Sequence, residues 1–376
     1  MSSRKYFFWI HLTAGSLAGL VILTMCVTGI LLSFEKQITN WAERDVRRVN
    51  PLADAARLPM GTLLTLALRG EAAVPATVVW HSDPSSTVEF GFGRDRTVFV
   101  NPYSGERLGE GAARLRNFFA TMEGAHRWLG TSSELRPIAR SVTGAANLLF
   151  LFLACSGLYL WWPRNWSANS LKTVTLFRSG LEGRAREFNW HNAIGFWSCA
   201  PLIVIVTCSL VMSYSWANNL VFRLSGSPVP APNASARQAD RNERAGTLDA
   251  NELNFLSARA ENKIPEWRTI SLRLPAPSDQ NASFTIEAGD GGRPDKRAQL
   301  LLRRSSGEEA RWEPFSSNSR GRRWRIWMPF AHTGEVAGPL GQAVAGVASL
   351  GGAFLVYTGI SLALRRFFAW RGRANS

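Results

Sequence analysis

A mainly α membrane protein of four transmembrane helices, built from a tandem helix–outer domain–helix repeat, is the fold class that the sequence predicts. Three observations predict it. Four apolar stretches have membrane-crossing length, residues recur at constant offsets between the two halves, and two long polar segments read as small α+β modules.

The apolar stretches run over 7–34, 141–162, 193–216 and 336–364. A bilayer core of about 30 Å takes about 20 helical residues, so each stretch can cross it. The first is too long for a signal-peptide core, and no small-x-small cleavage site follows before Glu35 and Lys36, so it is expected to remain as a helix. The chain carries a formal charge of +15. Arg4 and Lys5, then Arg164, Lys172, Arg178, Arg184 and Arg186, then Arg365, Arg366, Arg371 and Arg373 face only Glu182 and Glu187, which puts +9 in three short segments. Basic residues beside spans mark the cytoplasmic side. Both termini and the 164–190 loop are therefore expected in the cytoplasm, with residues 35–140 and 217–335 outside. The basic excess hugs the lipid bilayer, which argues against a nucleic-acid partner.

The expected order is thus helix 1 to residue 34, outer module 1 over 35–140, helix 2 over 141–163, the cytoplasmic loop, helix 3 over 191–216, outer module 2 over 217–335, helix 4 over 336–364 and a tail from 365. In the first module, a helix-like stretch at 58–69 precedes alternating runs at 77–81, 87–92 and 97–100 and the NPYSG turn at 101–105. In the second, a helix-like stretch at 249–262, with Asp249 placed as its cap, precedes runs at 269–274, 283–287 and 299–303. A Pro/Ser/Ala-rich linker occupies 225–235. Cys26, Cys155, Cys199 and Cys208 all lie in spans, against disulfides and zinc, and the absence of C-x-x-C-H excludes covalent haem.

The repeat shows in the numbering. His11 and Gly15 recur as His191 and Gly195, 180 positions later. Gly144, Ser156–Gly157 and Ser104-Gly105-Glu106 recur as Gly346, Thr358–Gly359 and Ser306-Gly307-Glu308, 202 positions later. Such repeats are recognised before the fold is argued. Of five histidines, His11 and His191 begin spans one and three, while His126 and His332 lie outside, leading into spans two and four. His81 is left over. Neutral imidazole is a favoured haem ligand, and an iron held from both faces needs two histidines on facing elements. His11 with His191, and His126 with His332, are therefore expected to hold two haem groups near opposite membrane faces. Alone, each histidine reads as an interfacial polar residue; four in equivalent places favour ligation.

Gly15 and Gly195 share a helix face with these histidines and leave room for a flat macrocycle, or serve close helix packing. Thr13 and Ser16 are candidate supports for His11. Arg127 is a candidate propionate partner. Arg320, Arg322, Arg323, Trp324 and Arg325 read either as a solvated basic face or as a docking place for an anionic substrate. The middles of the spans hold no Asp, Glu, Lys, Arg or His, unlike the polar midplane sites of transporters. No Rossmann fingerprint, P-loop, nucleophile elbow or HExxH occurs.

The stretches HRWLG at 126–130, SGLYLWWPR at 156–164, WHNAIG at 190–195 and HTG at 332–334 resemble the PepSY-associated transmembrane helix family of bacterial inner-membrane proteins. NPYSG resembles the turn of the PepSY module. The resemblance covers nearly the whole chain. It departs at Asn192, where many members carry arginine, and the second module is only weakly PepSY-like. It implies two non-covalent haem b groups held by His11, His126, His191 and His332, and a haem-dependent ferric-siderophore reductase acting on the periplasmic side. A quinol or a cytoplasmic flavin reductase would donate the electrons. Two other functions stay open: a membrane-anchored PepSY regulatory or binding protein, and a siderophore transporter.

Overall fold

The computed structural model describes residues 3–51, 55–93, 96–163, 167–231 and 248–374. Arg164 and positions 232–235 of the expected linker lie outside them. The chain forms two compact units, one of residues 1–35, 121–221 and 327–376, the other of residues 36–120 and 222–326.

In the first unit the long helices are α1 (Ser3–Leu32), α5 (Arg136–Trp161), α7 (Gly183–Ser213) and α11 (Gly338–Ala374). Among the described residues four helices are long and apolar enough to cross a membrane, over Ser3–Leu32, Ala113–Trp161, Gly183–Ser213 and Glu335–Gly372. Hydroxyl side chains inside α1 bond back to main-chain carbonyls, Ser16 to Leu12 at 2.9 Å, Thr24 to Leu20 at 3.0 Å and Thr28 to Thr24 at 2.7 Å. Such groups are thereby satisfied without water. Pro137 opens α5, where its missing N–H costs nothing.

α1 packs against α5 and α11, and α7 packs against the same two. The four helices close a ring in which α1 and α7 stand diagonally. Ala18, Ile22, Cys26, Ala146, Phe150, Leu202, Val206 and Ala348 form the bundle core. Two aromatic rings seat on two glycines. A Cβ at Gly346 would lie 3.1 Å from the Phe34 ring, and one at Gly144 would lie 2.7 Å from the Tyr214 hydroxyl. Phe34 and Tyr214 are 180 positions apart, and Gly144 and Gly346 are 202 apart.

Among the helices not foreseen are α4 (Ala113–Trp128) and α10 (Arg320–Thr333). Arginines interrupt both sequences, at 114, 116 and 127 and at 320, 322, 323 and 325. The C-terminal ends of both belong to the first unit. A short helix, α6 (Ala168–Thr175), lies between α5 and α7, and α8 (Ser215–Leu224) follows α7.

The second unit holds α2 (Glu35–Ala42), α3 (Met60–Ala67), α9 (Ala250–Glu261) and eight strands: β1 (Thr77–His81), β2 (Val88–Phe92), β3 (Arg96–Val100), β4 (Arg107–Gly109), β5 (Thr269–Arg273), β6 (Asn281–Glu287), β7 (Arg297–Arg303) and β8 (Glu309–Pro314). The two expected modules are halves of one antiparallel sheet, ordered β4-β3-β2-β1-β5-β6-β7-β8. β1 and β5 join them, from Thr77 opposite Arg273 to His81 opposite Thr269. The pairing follows from edge chemistry, since each four-stranded meander would otherwise leave its first strand with unpaired N–H and C=O groups.

One face of the sheet is apolar. Val78, Trp80, Phe90, Val98, Ile270, Leu272, Phe284 and Leu300 pack there with Leu63 and Leu64 of α3 and Leu253 and Leu256 of α9. α3 and α9 approach so closely that a Cβ at Gly61 would lie 2.1 Å from the carbonyl oxygen of Ala250. The two Ser-Gly-Glu turns have the same geometry. Ser104 Oγ accepts from Glu106 N at 3.2 Å, and Ser306 Oγ accepts from Glu308 N at 3.3 Å. Asp249 stands at the start of α9 as expected, yet its side chain makes no capping bond; its main-chain carbonyl accepts from Leu253 N at 2.9 Å.

Candidate functional site

The chemistry-bearing side chains of the first unit are four histidines at two levels. At one level stand His11 of α1 and His191 of α7, from diagonal helices and within electrostatic reach of each other. His11 Nδ1 is 2.8 Å from Ser156 Oγ of α5, and His191 Nδ1 is 2.8 Å from Thr358 Oγ1 of α11. Gly157 and Gly359 flank these rings, where a Cβ would lie 3.4 Å from His11 Cε1 and 3.5 Å from His191 Cε1. Each histidine is thus supported by the hydroxyl, and bordered by the glycine, of a neighbouring helix.

At the other level stand His126 of α4 and His332 of α10. The sequence placed them beyond the spans. The structure instead brings His126 Nδ1 to 2.9 Å from Thr28 Oγ1 and His332 Nδ1 to 2.9 Å from the Ile205 carbonyl, inside α1 and α7. Thr28 lies 17 residues after His11 on α1, about 26 Å along the helix, so the two levels are well separated. The His126 and His332 rings are 6.2 Å apart, centre to centre, with planes at 63°.

The hydrogen bonds assign the tautomers of His126, His191 and His332. A main-chain carbonyl only accepts, so His332 Nδ1 carries the proton. Thr28 donates its hydroxyl proton to the Thr24 carbonyl at 2.7 Å, and Thr358 donates to Phe354 at 2.8 Å. Ser156 lies 3.4 Å from the Leu153 carbonyl and 2.8 Å from His11 Nδ1. The two threonine oxygens are then left to accept from their histidines. In His126, His191 and His332 Nδ1–H is engaged, and Nε2 keeps the lone pair that binds a metal.

This arrangement fits a bis-imidazole metal site. A metal–imidazole bond is about 2.0–2.1 Å, and with the nitrogen about 1.1 Å from the ring centre, two imidazoles on opposite sides of one ion have centres about 6.3 Å apart. The His126–His332 separation matches that value.

The remaining expected residues behave differently. A Cβ at Gly15 would meet Leu153 at 3.7 Å and one at Gly195 would meet Leu355 at 3.5 Å, ordinary contacts. Neither glycine borders a histidine ring; the glycines that do are Gly157, Gly359 and also Gly29, where a Cβ would lie 3.4 Å from His126 Cε1. Ser16 bonds back along its own helix, so the support for His11 comes from Ser156. Arg127 pairs with Glu123 at 2.6 Å and lies over the Trp128 ring at 4.6 Å. In the basic run, Arg323 is committed to local structure through the carbonyls of Asn318 at 2.8 Å and Ser316 at 2.5 Å. Arg320, Arg322 and Trp324 are exposed, and Arg325 is half-buried. The leftover His81 sits in the second unit, with Nδ1 3.0 Å from Thr269 Oγ1 and Nε2 3.5 Å from Glu89. Burial raises the Glu89 carboxyl, but the His81 bond and the charges of Arg47 and His81 outweigh it and hold the group below its ordinary range.

Sequence reasoning missed Thr28 and the Ile205 carbonyl as partners. Ser156 and Thr358 did leave a signal, as repeat-equivalent hydroxyls each followed by glycine.

A four-helix membrane bundle with histidines paired at two levels is the class of protein that fold and site define. The family of the PepSY-associated TM region matches residues 8–366, and the chain belongs to it. No curated protein matches the chain.

Proposed function

We propose that the protein is a di-haem b electron-transfer protein that reduces ferric siderophores on the outer face of a bacterial inner membrane. The observation that carries this reading is the His126–His332 pair, with ring centres 6.2 Å apart and both Nδ1 atoms already bonded. His11 and His191 would hold the second group. Bis-imidazole haem iron supplies one-electron transfer, tuned by ligand hydrogen bonds and burial. The chain's own residues hold the imidazoles through Nδ1, and the apolar bundle core excludes water between the levels. The middles of the spans carry no carboxylate, amine or guanidinium, which disfavours translocation of an ion or a chelate and suits transfer of an electron.

The siderophore substrate follows from the family resemblance. One electron from a quinol or a cytoplasmic flavin reductase converts one Fe(III) to Fe(II), and hard oxygen ligands hold the reduced ion less tightly. In this reading both termini are cytoplasmic and the eight-stranded sheet is periplasmic. The shared offsets of 180 and 202, which relate Phe34 to Tyr214 and Ser156 to Thr358, support one duplicated unit.

The test is the optical spectrum of protein purified from haem-sufficient cells, oxidised and dithionite-reduced. Two haems per chain are expected. H126A and H332A are each expected to abolish the same spectral component, and H11A and H191A the other. Purified protein with no Soret band would sink the proposal.

A further inference from the structure

We infer that Thr28, Ser156 and Thr358 are positioning residues, each fixing one histidine's ring and electron-donating strength, so that the two levels are tuned separately. The inference rests on the two-haem reading and goes beyond it, to residues that never touch the iron.

Each of the three hydroxyls has one proton. Thr28 and Thr358 donate it to a carbonyl of their own helix, at 2.7 Å and 2.8 Å, and Ser156 lies 3.4 Å from the Leu153 carbonyl. What remains on the threonines is an acceptor, and all three oxygens stand 2.8–2.9 Å from a histidine Nδ1. A hydroxyl free to rotate could donate to Nδ1 and leave the proton on Nε2, which would block ligation. The carbonyls of Thr24 and Phe354 remove that option for Thr28 and Thr358, and Ser156 fixes the His11 ring through its 2.8 Å contact. An accepted Nδ1–H bond also raises the basicity of Nε2, which stabilises the ferric form.

The two levels are built differently. The position 180 after Thr28 is Cys208, a buried thiol and a weak acceptor. His332 uses the Ile205 carbonyl instead, at 2.9 Å. The His11–His191 level therefore rests on two hydroxyls. The His126–His332 level rests on one hydroxyl and one main-chain carbonyl, which no side-chain substitution removes.

The experiment is a redox titration of the full-length detergent-solubilised protein, followed optically, in T28V, S156A and T358V, with T28S and S156T as conservative controls. T28V is expected to raise the midpoint potential of one component and to weaken haem retention there about 10–100-fold, the usual cost of losing a hydrogen-bond partner of a metal ligand. S156A and T358V are expected to do the same to the other component. T28S and S156T are expected to restore wild-type values. Loss of haem from only the cognate component also supports the assignment. The assignment is overturned if T28V and S156A move the same component, if all three titrate as wild type, or if the conservative controls fail as badly as the deletions. A wild-type protein without a Soret band overturns the two-haem reading and this inference together. A normal wild-type spectrum with unshifted variants overturns this inference alone.

Discussion

At the scale of single residues, Glu43 shows how little a charge's role can be read from its neighbours in the chain. It stands in an acidic-basic stretch that looks solvated, yet it is 1% exposed. Its carboxylate accepts from Arg47 at 2.9 and 3.0 Å and from Arg116 at 2.5 and 2.7 Å. Both guanidinium groups also lie over the Phe99 ring, at 5.3 and 5.9 Å. Arg116 is 73 residues away, so no local pattern announces the cluster. Removing one partner of a buried ion pair leaves uncompensated charge and costs about 3–5 kcal/mol. E43Q is expected to destabilise the second unit by about 3 kcal/mol, near the lower end because both arginines keep some water. A denaturant series on purified protein checks this, and an unchanged midpoint would show the cluster to be energetically idle. The histidines were legible for the opposite reason: few in number and repeat-equivalent in place.

At the scale of elements, legibility follows the strength of the pattern. Strand β1 was read to its residue, because T-V-V-W-H is a β-branched and aromatic run bounded by Pro75 and the S-D-P turn. β8 was missed, because E-A-R-W-E-P is a charged, half-exposed edge strand that needs no apolar face. β3 is held at its start by charge. Arg96 donates to Glu71 at 2.8 Å and to Glu110 at 2.6 Å, and Arg107 of β4 donates to Glu71 at 2.5 Å. The Arg96 hydrogen bond foremost, then Arg107, holds the Glu71 carboxyl below its ordinary range despite the opposing pull of desolvation. A depressed folded value means stabilisation that is present above the unfolded value, about 4.3, and lost as pH falls through the folded one. Thermal unfolding followed from pH 7 downward is therefore expected to show an acid-side loss that is shallower in R96A, and equal slopes would remove Glu71 as its source.

At the scale of the whole molecule, neither half of the chain is self-sufficient. α1 packs on α11 and α5 on α7, and the sheet is continuous only through β1 and β5. In the reading proposed above, the offsets mark two copies of a unit. They could not disclose that the copies share one sheet, because partner choice between strands depends on which edges remain open after each meander forms. Residues 1–180 and 181–376, expressed together as separate chains, are expected to co-purify as one bundle. Expressed alone, each half is expected to aggregate or be degraded. Independent, stable halves would show the contacts between them to be dispensable.

The central strand pair also sets a clock on biogenesis. His81 and Thr269 are partners across 188 residues of sequence. At about 5–20 residues per second, a ribosome takes about 10–40 s to make that stretch. Throughout that interval β1 is the open edge of a nascent four-stranded sheet, with Val78 and Trp80 waiting for α9. That edge stays open until β5 emerges, and slowed translation between residues 81 and 269 lengthens the exposure.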